Sequence, residues 1–261
     1  MPVVNLNGAD LYYHVQGKGI PIVFIHPPLL TSMNFIYQVN ELSKRFKVIV
    51  FDIRGHGNSS FSKTALTYPI ISQDIKQLLD YLNIDKAFVC GYSTGGTIAL
   101  DFLLTYPTRS LGSVLIGSMS EVKDQSLKSK ITLGVKFAEW RALQVLALSV
   151  SFTNSNNALL FKHLYINAKK GSALNIEQYY RYSLDYNCTD RLDQINLPVL
   201  LLYGEKDKAF HCYARLLHDK LPINKYILIG DIKHQLPTKA AAQVNNFIKQ
   251  FVASWSQNGE K

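Results

Sequence analysis

The sequence predicts an α/β fold, a mostly parallel, doubly wound sheet interrupted by one helical segment, and three observations predict it. Short continuous apolar runs at 22–25, 48–51, 87–90 and 113–116 alternate with helical patterns, as expected of strands buried on both faces and crossed over by helices. The alternation stops near Ser118 and resumes only after Leu192. One serine, Ser93, stands between such a run and a helical pattern, with Gly91 and Gly95 two residues away on either side and Gly96 beyond.

In chain order, 11–15 reads as an opening strand and Gly17 to Pro21 as a turn. The run 22–25 delivers His26-Pro27-Pro28-Leu29-Leu30 into a loop, and Thr31 or Ser32 can cap a helix that continues to about Lys44. The run 48–51 ends in Asp52-Ile53-Arg54-Gly55-His56-Gly57-Asn58-Ser59, a loop dense in polar groups. Ile71, Ile75, Leu78, Leu79 and Leu82 mark an amphipathic helix. The strand at 87–90 enters the serine turn, after which Ile98, Phe102 and Leu103 keep helical spacing as far as Pro107. Beyond the strand at 113–116 only helical patterns follow: 131–152, 158–170 stopped by Gly171, and 175–186. A strand at 198–203 then leads to Gly204-Glu205-Lys206-Asp207, a helix at 211–221, a last strand at 225–229 with His234 in the loop beyond, and a closing helix with Val244, Phe247, Ile248, Phe251 and Val252 on one face. The predicted organisation is a core at 1–118 and 193–261 with a helical insertion at 119–192. Only the last few residues read as disordered.

At 261 residues the chain can bury the core of one domain with an insertion. Its 28 basic against 19 acidic residues, net +9, are scattered. The densest spots are Lys44-Arg45-Phe46-Lys47 and 123–130, and no nucleic-acid motif accompanies them, so the charge reads as a solvated surface with at most an attraction for anionic small molecules. Cys90, Cys188 and Cys212 are far apart and lack metal spacing, which argues for a reducing, cytoplasmic setting without disulfides. The N-terminus shows no basic-then-apolar signal pattern, and Lys136, Glu139 and Arg141 interrupt the most apolar long stretch. No nucleic-acid partner and no stable membrane association are expected, and the chain is expected to be a monomer or homodimer.

A sharp strand-to-helix turn pushes a serine hydroxyl outward, and the new helix N-terminus aims N–H groups and a positive dipole end at the same place, where an oxyanion would form. Ligands of open parallel sheets collect at the carboxyl ends of the strands. The His26 loop, Ser93, Asp207 and His234 all fall there, in the chain order Ser, Asp, His. On the His26 turn, the 52–59 loop, the Gly91–Gly96 turn, Gly204–Asp207 and His234, the sequence resembles the α/β-hydrolase superfamily, within the single-domain group that carries a helical cap after the sixth strand. The likeness runs from about Leu11 to Trp255.

The resemblance implies a sheet of the α/β-hydrolase type, Ser93 as nucleophile, Asp207 as triad acid, His234 as base, an acyl-enzyme intermediate, and no metal or organic cofactor. Some relatives place the acid after the sixth strand, where Glu121 and Asp124 lie, but Asp207 matches the commoner position; a helix-capping role for Asp207 is the alternative. Residues corresponding to His26 and His56 are usually structural, His163 and His218 read as ordinary helix residues, and Cys90 reads as packing. A serine nucleophile argues against the haloalkane dehalogenase and epoxide hydrolase branches. The family usually has His-Gly-X in the first loop, the amide of X being one oxyanion donor and the residue after the nucleophile, here Thr94, supplying the other. In this chain X is Pro28, which has no N–H. Either Leu29 donates instead, which is the expectation, or the oxyanion hole is incomplete.

Tyr179, Tyr182 and Tyr186 share one helix face, with Tyr165 in the preceding helix. Packing of the cap onto the core is the favoured reading of these rings, and lining of an acyl pocket the other. The expected activity is hydrolysis of a small, fairly apolar carboxylic ester. C–C bond hydrolysis, perhydrolysis or acyl transfer with the same triad are alternatives, and a ligand-binding signalling protein with slow turnover is an alternative of another class.

Overall fold

A computed structural model describes residues 2–256. The last few residues, expected from the sequence to be disordered, lie largely outside that range. Eight strands form one sheet: β1 (Val3–Leu6), β2 (Ala9–Gln16), β3 (Pro21–Ile25), β4 (Lys47–Phe51), β5 (Ala87–Tyr92), β6 (Ser110–Ile116), β7 (Val199–Gly204) and β8 (Asn224–Ile229). Their order is β1-β2-β4-β3-β5-β6-β7-β8, antiparallel at β1/β2 and β2/β4 and parallel from β4 to β8. The helices are α1 (Ile36–Leu42), α2 (Tyr68–Tyr81), α3 (Thr94–Thr105), α4 (Gln125–Glu139), α5 (Leu143–Asn154), α6 (Ala158–Ala168), α7 (Ala173–Asp185), α8 (His211–Lys220), α9 (Leu236–Lys239) and α10 (Ala241–Ser256).

The continuous apolar runs have the reason expected of them. Along β3 to β7, alternate residues enter two different cores. Val23, Ile25, Ile49, Phe51, Val89, Leu115 and Leu201 pack with α2, α3 and α8, while Ile22, Phe24, Val48, Val50, Val114, Leu200 and Leu202 pack with α1 and α10. Each strand therefore removes both of its faces from water, at about 25 cal/mol for every Å² of apolar surface.

Three local readings are corrected. A first strand, β1, precedes the expected opening one; it is short, at the sheet edge, and alternates exposed and buried residues. The helix after the first loop is a 3₁₀ turn, Ser32–Phe35, capped by Thr31, followed by α1, which ends at Leu42. The pattern at 131–152 is two helices, α4 and α5, separated at Arg141, whose φ of 54° takes the chain out of the helix. Between β6 and β7 there are four α-helices and no strand.

Candidate active site

Strand β5 ends at Tyr92 and α3 begins at Thr94, so Ser93 alone makes the turn, with φ 55° and ψ −125°. That is a left-handed conformation that costs a non-glycine residue roughly 1–2 kcal/mol. The glycines make it feasible: a Cβ at Gly91 would collide with the backbone of Gly95 and Gly96, and one at Gly95 with the carbonyl of Ile25.

The loops after β7 and β8 bring the other two groups to this turn. His234 Nε2 lies 3.0 Å from Ser93 Oγ, and His234 Nδ1 lies 2.7 Å from Asp207 Oδ2. A carboxylate only accepts, so Nδ1 carries the proton, and Nε2 is left to accept from the serine hydroxyl. Phe210 and Tyr92 flank the imidazole at ring-centroid distances of 4.2 and 5.3 Å. Asp207 does not cap the helix that follows it. Asp124 instead caps α4 through Leu127 N, and Glu121 accepts from Asn187, so neither alternative acid is at the site.

The first loop turns at Pro28–Leu29, with Leu29 at φ 69°. The Leu29 amide has no hydrogen-bond acceptor among the described residues. The Thr94 amide, first in α3, belongs to those a helix N-terminus leaves without an intrahelical partner. Two backbone donors thus stand in the segments next to Ser93.

His26 and His56 brace the loops. Ile53 N donates to His26 Nε2 at 2.9 Å, so His26 Nδ1 carries the proton and donates to Pro27 O. Full burial pushes its pKa down to about 4, against a smaller raising effect of that bond. His56 Nδ1 donates to Arg54 O, and burial, then the neighbouring His26 at 5.3 Å, lowers its pKa to about 3. Buried Asp52 accepts from Ser32 and Asn58 and so ties the first loop to the second. Arg54 lies in a buried two-pronged pair with Asp74 and also donates to Leu6 O. The rings of His26 and His56 thus hold backbone, and His163 is exposed on α6 and takes no part in the triad hydrogen bonds. Cys90 is fully buried in the sheet.

A cavity of about 150 Å³ opens beside Ser93 and His234. Pro27, Pro28, Leu30 and Met119 line it from the core, and Leu127, Ile131, Val150, Asn154 and Tyr180 from α4, α5 and α7. No lysine or arginine lines it. The tyrosines named from the sequence pack instead. Tyr179 donates to His26 O, Tyr186 donates to Asp101, Tyr182 lies against Tyr68, and Tyr165 stacks on Phe161. The tyrosine of α7 that lines the cavity is Tyr180, one position over from the periodic stripe. Among the described residues no three His, Cys, Asp or Glu side chains gather to hold a metal ion, and no helix is long and apolar enough to cross a membrane.

Comparison with known proteins bears on the fold and the family. Residues 20–236 match the family described as the α/β hydrolase fold. The human protein named serine hydrolase BPHL is 26% identical over 95% of this chain and 85% of its own length. A bifunctional esterase/perhydrolase, DCH, of Acinetobacter calcoaceticus is 23% identical over 97% of this chain and 99% of its own. Among solved structures, the enol-lactonase from Burkholderia xenovorans LB400 superposes with a TM-score of 0.86, covering 97% of this chain and all of that one at 20% identity.

Proposed function

The chain belongs to the α/β hydrolase fold family, and on that premise we propose that it is a serine hydrolase that cleaves small, uncharged carboxylic esters through an acyl-enzyme on Ser93. One observation carries the reading: the unbroken chain of contacts from Ser93 Oγ to His234 to Asp207. His234 Nε2 takes the serine proton as Oγ attacks the ester carbonyl carbon. The carbonyl oxygen becomes an oxyanion, received by the amides of Thr94 and Leu29. His234 then returns the proton to the leaving alkoxide as the C–O bond breaks. Water, deprotonated by the same imidazole, releases the acid and restores Ser93. Asp207 holds the Nδ1–H tautomer and stabilises the imidazolium throughout.

The cavity argues for the substrate class. About 150 Å³ has room for roughly five groups of water size. Its apolar walls suit a short acyl chain, and its lack of a cation would leave a substrate carboxylate desolvated and unpaired.

The test is labelling with a fluorophosphonate probe, with mass spectrometry to locate the adduct. Wild type is expected to label at Ser93, Ser93→Ala not at all, and Asp207→Asn on the order of 10³- to 10⁴-fold more slowly, since asparagine favours the wrong imidazole tautomer. A folded wild type that leaves Ser93 unlabelled overturns the proposal and favours the ligand-binding alternative.

A further inference from the structure

Two hydroxyls that the triad does not use line the cavity beside Ser93 without a hydrogen bond to the described residues, those of Thr94 and Tyr180, and Tyr180 reaches it from the helices between β6 and β7. Tyr180, on α7, lines the cavity, and its hydroxyl makes no hydrogen bond among the described residues. The neighbouring phenols are committed: Tyr179 to His26 O, Tyr186 to Asp101, Tyr68 to Ser183, Tyr92 to Asn154, and Tyr203 to Ser118. Asn154, the cavity's amide, is committed too, since its Oδ1 accepts from Tyr92 and its Nδ2 donates to Val150 O.

The ring is held in place by a neighbour without a side chain. A Cβ on Gly134 of α4 would stand 3.0 Å from both Cε1 and Cζ of Tyr180, tighter than such contacts ordinarily are. Burial alone raises the phenol's pKa, so the group is a neutral O–H donor at any physiological pH. Tyr180 is half-buried and its hydroxyl has no acceptor on the protein, so an oxygen that enters the cavity can take that hydrogen bond.

Resting on the serine-hydrolase reading, we propose that Tyr180 is a specificity-determining residue that donates a hydrogen bond to an oxygen within the acyl chain, so that the preferred substrates are short, uncharged esters or lactones whose acyl part carries an ether, hydroxyl or keto oxygen. The walls offer a charged acyl group no counter-ion, and the phenol selects the oxygen.

The experiment uses pairs of p-nitrophenyl esters that differ only by oxygen in place of a methylene: methoxyacetate against butyrate, and 3-methoxypropanoate against pentanoate. The readout is the kcat/KM ratio within each pair, compared between wild type and Tyr180→Phe, which cancels the intrinsic reactivity of the esters. For at least one pair the ratio is expected to fall roughly 3- to 10-fold in Tyr180→Phe, through loss on the oxa-ester while the all-carbon ester holds or improves. Gly134→Ala, which presses on the ring while keeping the phenol, is expected to lower the same ratio. Equal losses on both members of each pair would mean a packing role only, and unchanged kcat/KM on all four esters would mean no contact; either overturns the proposal. Fluorophosphonate labelling of Ser93 in the wild type, run alongside, separates the two readings. If wild type itself fails to label, the serine-hydrolase reading falls and this one with it.

Discussion

Acid should weaken this fold in a way that two particular side chains determine. His26 and His56 are fully buried and neutral, with pKa values near 4 and near 3 against an ordinary value of 6.5. In the unfolded chain both take up a proton as the pH falls below 6.5; in the folded chain neither does until far lower. The unfolded state therefore binds more protons throughout that interval, and stability falls with falling pH. The loss begins near 6.5, continues down to the folded values, and stops below them. At pH 5 an unfolded histidine is almost fully protonated and these two are almost wholly neutral. At 1.36 kcal/mol per pH unit, that is about 2 kcal/mol for each, or about 4 kcal/mol together relative to pH 8. Against a total of about 5–15 kcal/mol this is a large share. The assay is urea unfolding followed by far-UV circular dichroism at pH 8, 7, 6 and 5, on wild type and on His56→Asn, whose amide can keep the donor to Arg54 O. Wild type should lose several kcal/mol between pH 8 and 5, and the variant about 2 kcal/mol less. Equal steepness in the two proteins, or a wild type flat to within about 1 kcal/mol, would refute the argument.

Two further outcomes follow from other features. Pro28→Gly supplies an amide at position 28; if Leu29 donates as proposed, kcat should change by less than about threefold, and a rise of tenfold or more would show that the oxyanion hole lacked a donor. Asp74→Asn leaves the buried Arg54 guanidinium without its carboxylate, so it should cost about 3–5 kcal/mol and lower Tm by roughly 10 °C; a drop of under about 2 °C in a thermal melt would contradict the assigned role of the pair.

The parallel sheet was legible because strands buried on both faces leave no polar residue to interrupt the run, as at 22–25 and 48–51. Ser93, Asp207 and His234 were legible because each stands just past the carboxyl end of a strand, where topology alone converges them. The misses have equally local causes. Strand β1 pairs on one side only and half of its residues face solvent, so its four residues carry little apolar signal. The break at Arg141 is a single left-handed residue inside a stretch whose helical spacing runs on either side, which periodicity does not register. Tyr180 was passed over because the periodic stripe on α7, Tyr179 and Tyr186, marks the face packed onto the core, whereas a cavity is lined from the edge of such a stripe. Signals that would have pointed to it are the adjacent Tyr179-Tyr180 pair and a glycine, Gly134, in the middle of a helical pattern.

Leu29 connects two parts of the molecule usually thought of separately. Its backbone is in the turn beside Ser93, while its side chain is buried among Ala138, Leu143, Ala147, Ala168 and Ile176 of the helices above. The residue whose amide is proposed to receive the oxyanion is thus the peg on which the roof hangs. Exchanging those helices for a relative's would unseat the peg along with the pocket walls. In this protein, selectivity and turnover should not evolve as independent modules: a change in α4, α5 or α7 made to admit a new acyl chain reaches the turn beside Ser93 through one leucine.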